Sequence, residues 1–155
     1  MDSDKVDLYN LIDRGGVYQN IGGTTVQEVY SEICSRASFP SGVDPKTVES
    51  ELLEREKLLS TAVGEGIAIP HTRKSVVTDE NDQCILVCYL DNEINMNAPD
   101  ARNVNLMFVL LSNSNSSHLK ILSSLAKMIH IPDVKEALDK KVKKEELLEI
   151  IGKNI

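Results

Sequence analysis

The sequence predicts a three-layer α/β fold, with short aliphatic strands buried on both faces and helices before, between and after them. Two runs carry the strand prediction. Cys84 to Leu90 and Leu106 to Leu111 are almost continuously apolar and too short for typical helices, as expected of strands covered on both sides. Composition agrees: the 155 residues are 41% hydrophobic but only 4% aromatic, with no Trp, so the core must be aliphatic. A domain of this length removes roughly two-thirds of its unfolded surface from water. Residues 1–155 read as one domain without internal repeats or a linker.

The first helix announces itself at Thr25, which with Glu28 makes a capping box ahead of the stripe Val26, Val29, Tyr30, Ile33 and Ala37. It should stop before Pro40-Ser41-Gly42. A second helix starts at Asp44-Pro45 and runs through Val48, Leu52 and Leu53, placing Arg55 and Lys57 near its electronegative C-terminal end. Ser60 to Gly66 reads as a glycine-bearing turn. The apolar run Ile67-Ala68-Ile69 follows, closed by Pro70, which argues for a strand end or an edge position.

Between the two long apolar runs, Asn92 to Asn103 is polar and reads as a loop. Ser116 or Ser117 is the natural N-cap for a helix marked by Leu119, Leu122, Leu125, Ala126 and Ile129. Val134, Ala137 and Leu138 mark a short helix after Pro132, and Leu147, Leu148, Ile150 and Ile151 a last one ending at Gly152.

The formal net charge is −7, with acidic residues spread along the chain, which gives no basic footprint for nucleic acid or anionic lipid. Lys140 to Lys144, followed at once by Glu145-Glu146, reads as a solvated helix face. No apolar run approaches the ~20 residues of a membrane helix, and Met1 to Asp4 lacks the character of a signal peptide, so a cytoplasmic location is expected. The three cysteines, Cys34, Cys84 and Cys88, fit neither a disulfide framework nor zinc spacing and read as buried thiols in a reducing compartment.

Two of the three histidines occupy positions suited to chemistry. His71 directly follows a strand end, where an imidazole is held on a rigid scaffold yet can face solvent, and its neutral form is a nucleophile at neutral pH. His118 falls in the first turn of a helix, whose free N–H groups favour an anion. The bland alternatives are a hydrogen-bonded surface histidine, a solvated helix-start residue and, for Arg55, a salt bridge with Glu51 or Glu54. His130 reads as a helix-end residue serving terminal carbonyls. No HxxE or HExxH spacing supports a metal-dependent hydrolase, and no metal or other cofactor is expected.

Gly64-Glu65-Gly66-Ile67-Ala68-Ile69-Pro70-His71 resembles the active-site signature of fructose/mannitol-type IIA domains of the phosphotransferase system (PTS EIIA type 2), a group that includes the nitrogen-regulatory IIA proteins. Leu53-Glu54-Arg55-Glu56 before Ser60-Thr61, His118-Leu119, and the Ala98-Pro99-Asp100 turn match further family features. The resemblance extends from about residue 5 to the end.

It implies a small mixed β-sheet flanked by helices on both faces. It also implies that His71 accepts a phosphoryl group, at Nε2, from the phosphocarrier HPr or its nitrogen-type counterpart NPr. The group then passes to a IIB component or serves as a regulatory signal. Arg55 would bind the phosphoryl oxygens, and His118 would pack beside His71, donating a hydrogen bond to those oxygens or fixing the orientation of the ring. Thr61 and Gly66 would offer a hydroxyl and a close backbone, and Arg73 either a phosphate or partner contact or ordinary exposure. The length, the N-terminal helical arm and the lack of an attached transporter tilt the reading towards the nitrogen-regulatory branch. The alternative is a binding module of the same fold that is never phosphorylated. Thr72, Ala101 and the Ser/Asn run 112–117 depart from the family pattern, which carries glycine, glycine and a proline in those regions.

Overall fold

A computed structural model describes residues 6–155; the Met1 to Asp4 start lies outside them. The chain opens with two elements that precede the Thr25 helix. Helix α1 (Leu8–Gly15) is capped by Asp7, whose side chain accepts from Asn10 N at 3.1 Å, and it buries Leu8, Leu11 and Ile12 on one stripe. At 8 residues it owes its existence to packing rather than propensity. Strand β1 (Val17–Ile21) follows, half-buried and without clear alternation.

Helix α2 (Val26–Arg36) starts at Thr25, which accepts from Glu28 N at 3.1 Å. The expected box is shifted by one residue, since the Glu28 carboxylate accepts from Thr24 N and Oγ1 instead. Helix α3 (Pro45–Leu58) is capped by Asp44. Strand β3 (Ile67–Ala68) lies in the apolar run expected to be a strand, and it pairs in a hairpin with β2 (Ala62–Gly64), which falls inside the segment expected to be a turn. Strand β4 (Cys84–Ile94) runs beyond Leu90 into the expected loop because Ile94 still pairs with Val104 of β5 (Val104–Leu111).

Helix α4 (Asn115–Met128) begins earlier than expected. Its N-cap is Ser114, which has the extended backbone a cap needs and accepts from Ser117 N at 3.1 Å; Ser116 and Ser117 are already helical. Helix α5 (Pro132–Asp139) lies as expected, and α6 (Lys144–Asn154) runs through Gly152 instead of ending there. The lysine run is the turn between these two helices, with Lys141 at φ 53°, rather than a helix face.

The five strands form one mixed sheet in the order β1-β4-β5-β3-β2. β1 and β4 are parallel, as are β3 and β5; β4–β5 and β2–β3 are antiparallel. β3 is therefore internal and β2 is the edge, so Pro70 marks a strand end and not an edge strand. Alternation along β4 and β5 divides the core. Ile85, Val87, Tyr89, Phe108 and Leu110 face α1, α4, α5 and α6, while Leu86, Cys88, Met107, Val109 and Leu111 face α2 and α3. Helices on both faces of a small mixed sheet complete the three layers. Cys34, Cys84 and Cys88 are unpaired and buried, and burial pushes the Cys84 thiol up to about 11 and Cys34 to about 12.

Candidate active site

β3 and β5 pair in one parallel register, Ile67 with Leu106 and Ala68 with Met107, and an isolated bridge between His71 and Leu110 continues it past Pro70. The Pro70 carbonyl accepts from Leu110 N at 2.8 Å, so the chain reaches His71 still anchored to the central sheet. Beyond it, the loop is moored on α3: Arg73 N donates to the Glu51 carbonyl at 3.2 Å and Lys74 N to the Glu51 carboxylate at 3.0 Å. The half-buried His71 ring is thereby fixed at both ends of its backbone.

The hydrogen bonds of the ring settle its tautomer. Nδ1 lies 3.0 Å from the Ile69 carbonyl, which can only accept, so Nδ1 carries the proton. Nε2 then presents a lone pair, and Arg55 Nε donates to it at 3.0 Å. Burial lowers the His71 pKa most. The Ile69 carbonyl raises it, the Arg55 charge lowers it and the Glu56 charge raises it. The ring is neutral at neutral pH, with its free nitrogen facing a guanidinium.

Arg55 does not make the salt bridge that its helix position allowed. Glu54 pairs with Lys57 at 3.3 Å and Glu51 receives Lys74, while Arg55 has no carboxylate within 4.0 Å among the described residues. Its Nη1 donates to the Leu59 carbonyl at 2.6 Å at the C-terminal end of α3, and Nη2 has no hydrogen-bond partner among the described residues. From the other side α4 supplies His118, whose ring centroid is 4.3 Å from that of His71 at a tilt of 53°. Burial first, then His71 and Arg55, push the His118 pKa down to about 4. The backbone N–H of His118 closes the first turn of α4 onto Ser114 O and is not free for an anion.

The structure thus brings His71, Arg55 and His118 together, from the end of β3, from α3 and from α4. It places the other candidates differently. The Thr61 side chain is buried and its hydroxyl donates to Glu56 at 2.7 Å. Gly66 sits at the opposite end of β3, where its carbonyl accepts from Asn105 N and Leu106 N. The Arg73 side chain is exposed, and the segment is tied down through its backbone. His130 is exposed and faces Glu65, with Nδ1 to Oε2 at 3.9 Å, instead of serving helix-end carbonyls with its ring.

Glu56 closes the Leu53-Glu54-Arg55-Glu56 segment but has no role assigned from sequence, yet it accepts from Tyr30 Oη at 2.7 Å and from both Thr61 groups. Its place in that segment beside Arg55 is the signal that could have found it. Among the described residues no cluster of three or more His, Cys, Asp or Glu side chains could hold a metal ion, and no helix is long and apolar enough to cross a membrane.

A nucleophilic imidazole held by a carbonyl at Nδ1, beside an arginine without a carboxylate partner, is an arrangement suited to receiving a phosphoryl group. The chain belongs to the EIIA 2 family of the phosphoenolpyruvate-dependent sugar phosphotransferase system, whose profile it matches over residues 10–154. Within that family it is similar to the nitrogen regulatory protein of Pseudomonas aeruginosa, with 31% identity over 150 residues, 94% of this chain and 95% of that protein. Among solved structures it is similar to nitrogen regulatory protein IIA-Ntr from Neisseria meningitidis, with 28% identity and a TM-score of 0.74 over 87% of this chain and 92% of that one. The IIA mannitol enzyme of Escherichia coli, solved in complex with phosphorylated IIB, shares the fold at 18% identity, with a TM-score of 0.65 over 96% of this chain and 97% of that one.

Proposed function

We propose that the protein is a phosphocarrier of the nitrogen-regulatory IIA kind, accepting a phosphoryl group on Nε2 of His71 from HPr or NPr. The observation that carries this reading is the pair of bonds to one ring, Nδ1 to the Ile69 carbonyl and Nε2 to Arg55 Nε, each 3.0 Å. The first fixes the nucleophilic nitrogen, and the second points a permanent positive charge at the place where the phosphoryl group arrives.

The Nε2 lone pair attacks phosphorus, the P–N bond of the donor phosphohistidine breaks, and its electron pair returns to the donor ring. Arg55 gives up its bond to Nε2 and turns its N–H groups to the phosphoryl oxygens, for which Nη2 is already uncommitted. His118, neutral with its pKa near 4, adds a hydrogen bond rather than a second charge. Leu58, Leu59 and Leu119, exposed by 62%, 71% and 67%, lie on the segments that carry Arg55 and His118 and suit contact with a protein-sized donor.

Onward transfer to a IIB component is supported by the mannitol IIA relative solved with phosphorylated IIB. Regulation by phosphorylation state is supported by the nitrogen regulatory relatives. The test is incubation with phosphoenolpyruvate, enzyme I and either HPr or NPr, followed by intact-mass and site-mapping spectrometry at non-acidic pH. One added phosphate that maps to His71 and is lost in His71→Ala is expected, and the faster donor identifies the pathway. Full phosphorylation of His71→Ala would overturn the assignment, and no phosphate with either donor would favour the binding-module alternative.

A further inference from the structure

We propose that Glu56 is a positioning residue for His71: its carboxylate fixes the corner between α3 and β2 that holds the ring's proton-bearing side, and it supplies negative charge to a ring that becomes cationic on phosphorylation. The inference rests on the phosphocarrier reading of the site. Glu56 stands next to Arg55 on α3 and takes three donors, Tyr30 Oη at 2.7 Å, Thr61 Oγ1 at 2.7 Å and Thr61 N at 2.9 Å. Tyr30 is fully buried and Thr61 nearly so, and the bonds they make to the half-buried Glu56 are partly withdrawn from water.

A continuous hydrogen-bonded path leads from this carboxylate to the reactive ring. Thr61, held by Glu56, accepts from Ile69 N through its own carbonyl at 3.0 Å, and the Ile69 carbonyl in turn accepts the His71 Nδ1 proton. The tautomer that leaves Nε2 nucleophilic is therefore held by a chain that starts at Glu56. Three charged or titratable side chains act on His71: Arg55 and Glu56 from α3, and His118 from α4. Arg55 and His118 bring no negative charge, so Glu56 alone among them favours a positive ring.

That sign matters in the reaction. When Nε2 bonds to phosphorus while Nδ1 keeps its proton, the ring carries positive charge beside a phosphoryl dianion. Arg55 stabilises the dianion but opposes the cationic ring. Glu56 favours the cationic ring without standing in the phosphoryl group's path, because its oxygens are turned towards Tyr30 and Thr61.

Two readouts on Glu56→Gln, Glu56→Asp and Tyr30→Phe test this: the titration of the His71 ring in the unphosphorylated protein, followed by long-range ¹H–¹⁵N spectra, and the single-turnover rate of phosphorylation by the donor. Glu56→Gln is expected to move the His71 midpoint to lower pH and to slow transfer at saturating donor on the order of tenfold, with the half-saturating donor concentration unchanged. Glu56→Asp, with the charge one methylene farther back, moves the midpoint the same way by less and decides the matter if the Gln variant does not fold. Tyr30→Phe lowers the melting temperature but leaves the midpoint in place. A His71 midpoint equal to the parent's in both Glu56 variants, with only the melting temperature reduced, would overturn the proposal. If the parent accepts no phosphate from any donor, the carrier reading fails by itself, and the titration still decides what Glu56 does to the ring.

Discussion

The two ends of β3 are only a few residues apart and belong to one continuous motif, yet they are built on opposite principles. At the Gly64-Glu65-Gly66 end three consecutive residues hold positive φ, 100°, 57° and 80°, and backbone groups of the turn are tied to fixed partners. Glu65 N donates to Asp100 Oδ2 at 2.8 Å, and the Gly66 carbonyl takes both Asn105 N and Leu106 N. Backbone bonds from Glu65 and Arg102 hold the Asp100 carboxyl below its usual range. At the His71 end the backbone is anchored and the side chains meet one another: Arg55 Nε donates to His71 Nε2, Arg55 has no carboxylate within 4.0 Å among the described residues, and a second imidazole is pushed away from charge. The first end is fixed through backbone groups; the second is built from side chains.

The sharpest way to break this contrast is Arg55→Ala. If the His71 end is organised around an incoming phosphoryl group, removing the guanidinium should slow phosphorylation about 100-fold or more in a rapid-quench assay, while the melting temperature stays within a few degrees of the parent. Arg55→Lys should recover only part of the rate, because an ammonium lacks the fork that spans the ring nitrogen and the Leu59 carbonyl.

His118→Ala should still accept phosphate, more slowly by about tenfold, or transfer it onward poorly. It should also change the acid response. His118 has a folded pKa near 4 against an ordinary value of 6.5, so the unfolded chain binds the proton first as pH falls. Its contribution to stability is present above pH 6.5 and is lost as the pH falls through the folded pKa. Melting temperatures measured between about pH 7 and pH 4 should therefore fall less steeply in His118→Ala than in the parent.

At the turn end the expected order of effects reverses. Gly66→Ala places a Cβ at φ 80° and 3.2 Å from Asn105 Oδ1, and should lower stability by about 1–2 kcal/mol while leaving the phosphorylation rate of the folded protein unchanged. Ala101→Gly sharpens the same point from the other side. Ala101 sits at φ 61° directly after Asp100, in the left-handed region that favours glycine. The substitution should stabilise the protein by about 0.5–1 kcal/mol in chemical denaturation, with no change in activity.

This division is only partly visible in the sequence. The long strands are legible because both faces of β4 and β5 are buried and leave continuous apolar runs, and the caps at Thr25 and Asp44 stand where the residues indicate. α1 is expected only as an N-terminal helical arm without bounds, although Asp7, Leu8, Leu11 and Ile12 carry its cap and stripe; 8 residues give too short a period to place it. β1 and β2 are hidden for a different reason: they are short edge strands whose register comes from β4 and β3, not from their own pattern.

At the site, His71, Arg55 and His118 can be named from residue type and family spacing, because each stands at an element boundary that the sequence marks. Gly66 and Thr61 belong to the same family pattern, but spacing along a chain does not say that Gly66 stands at the end of β3 opposite His71 or that the Thr61 hydroxyl donates to Glu56. Glu56 shows the converse: its importance lies in Tyr30 and Thr61, which only folding brings to it.

The most direct test is to phosphorylate the protein with the faster donor and record long-range ¹H–¹⁵N correlations of its imidazoles. The expected spectrum shows phosphorus on Nε2 of His71 with Nδ1 still protonated against the Ile69 carbonyl. Phosphorus on Nδ1 of His71, or on His118, would contradict the assignment of Nε2 of His71 as the nucleophile.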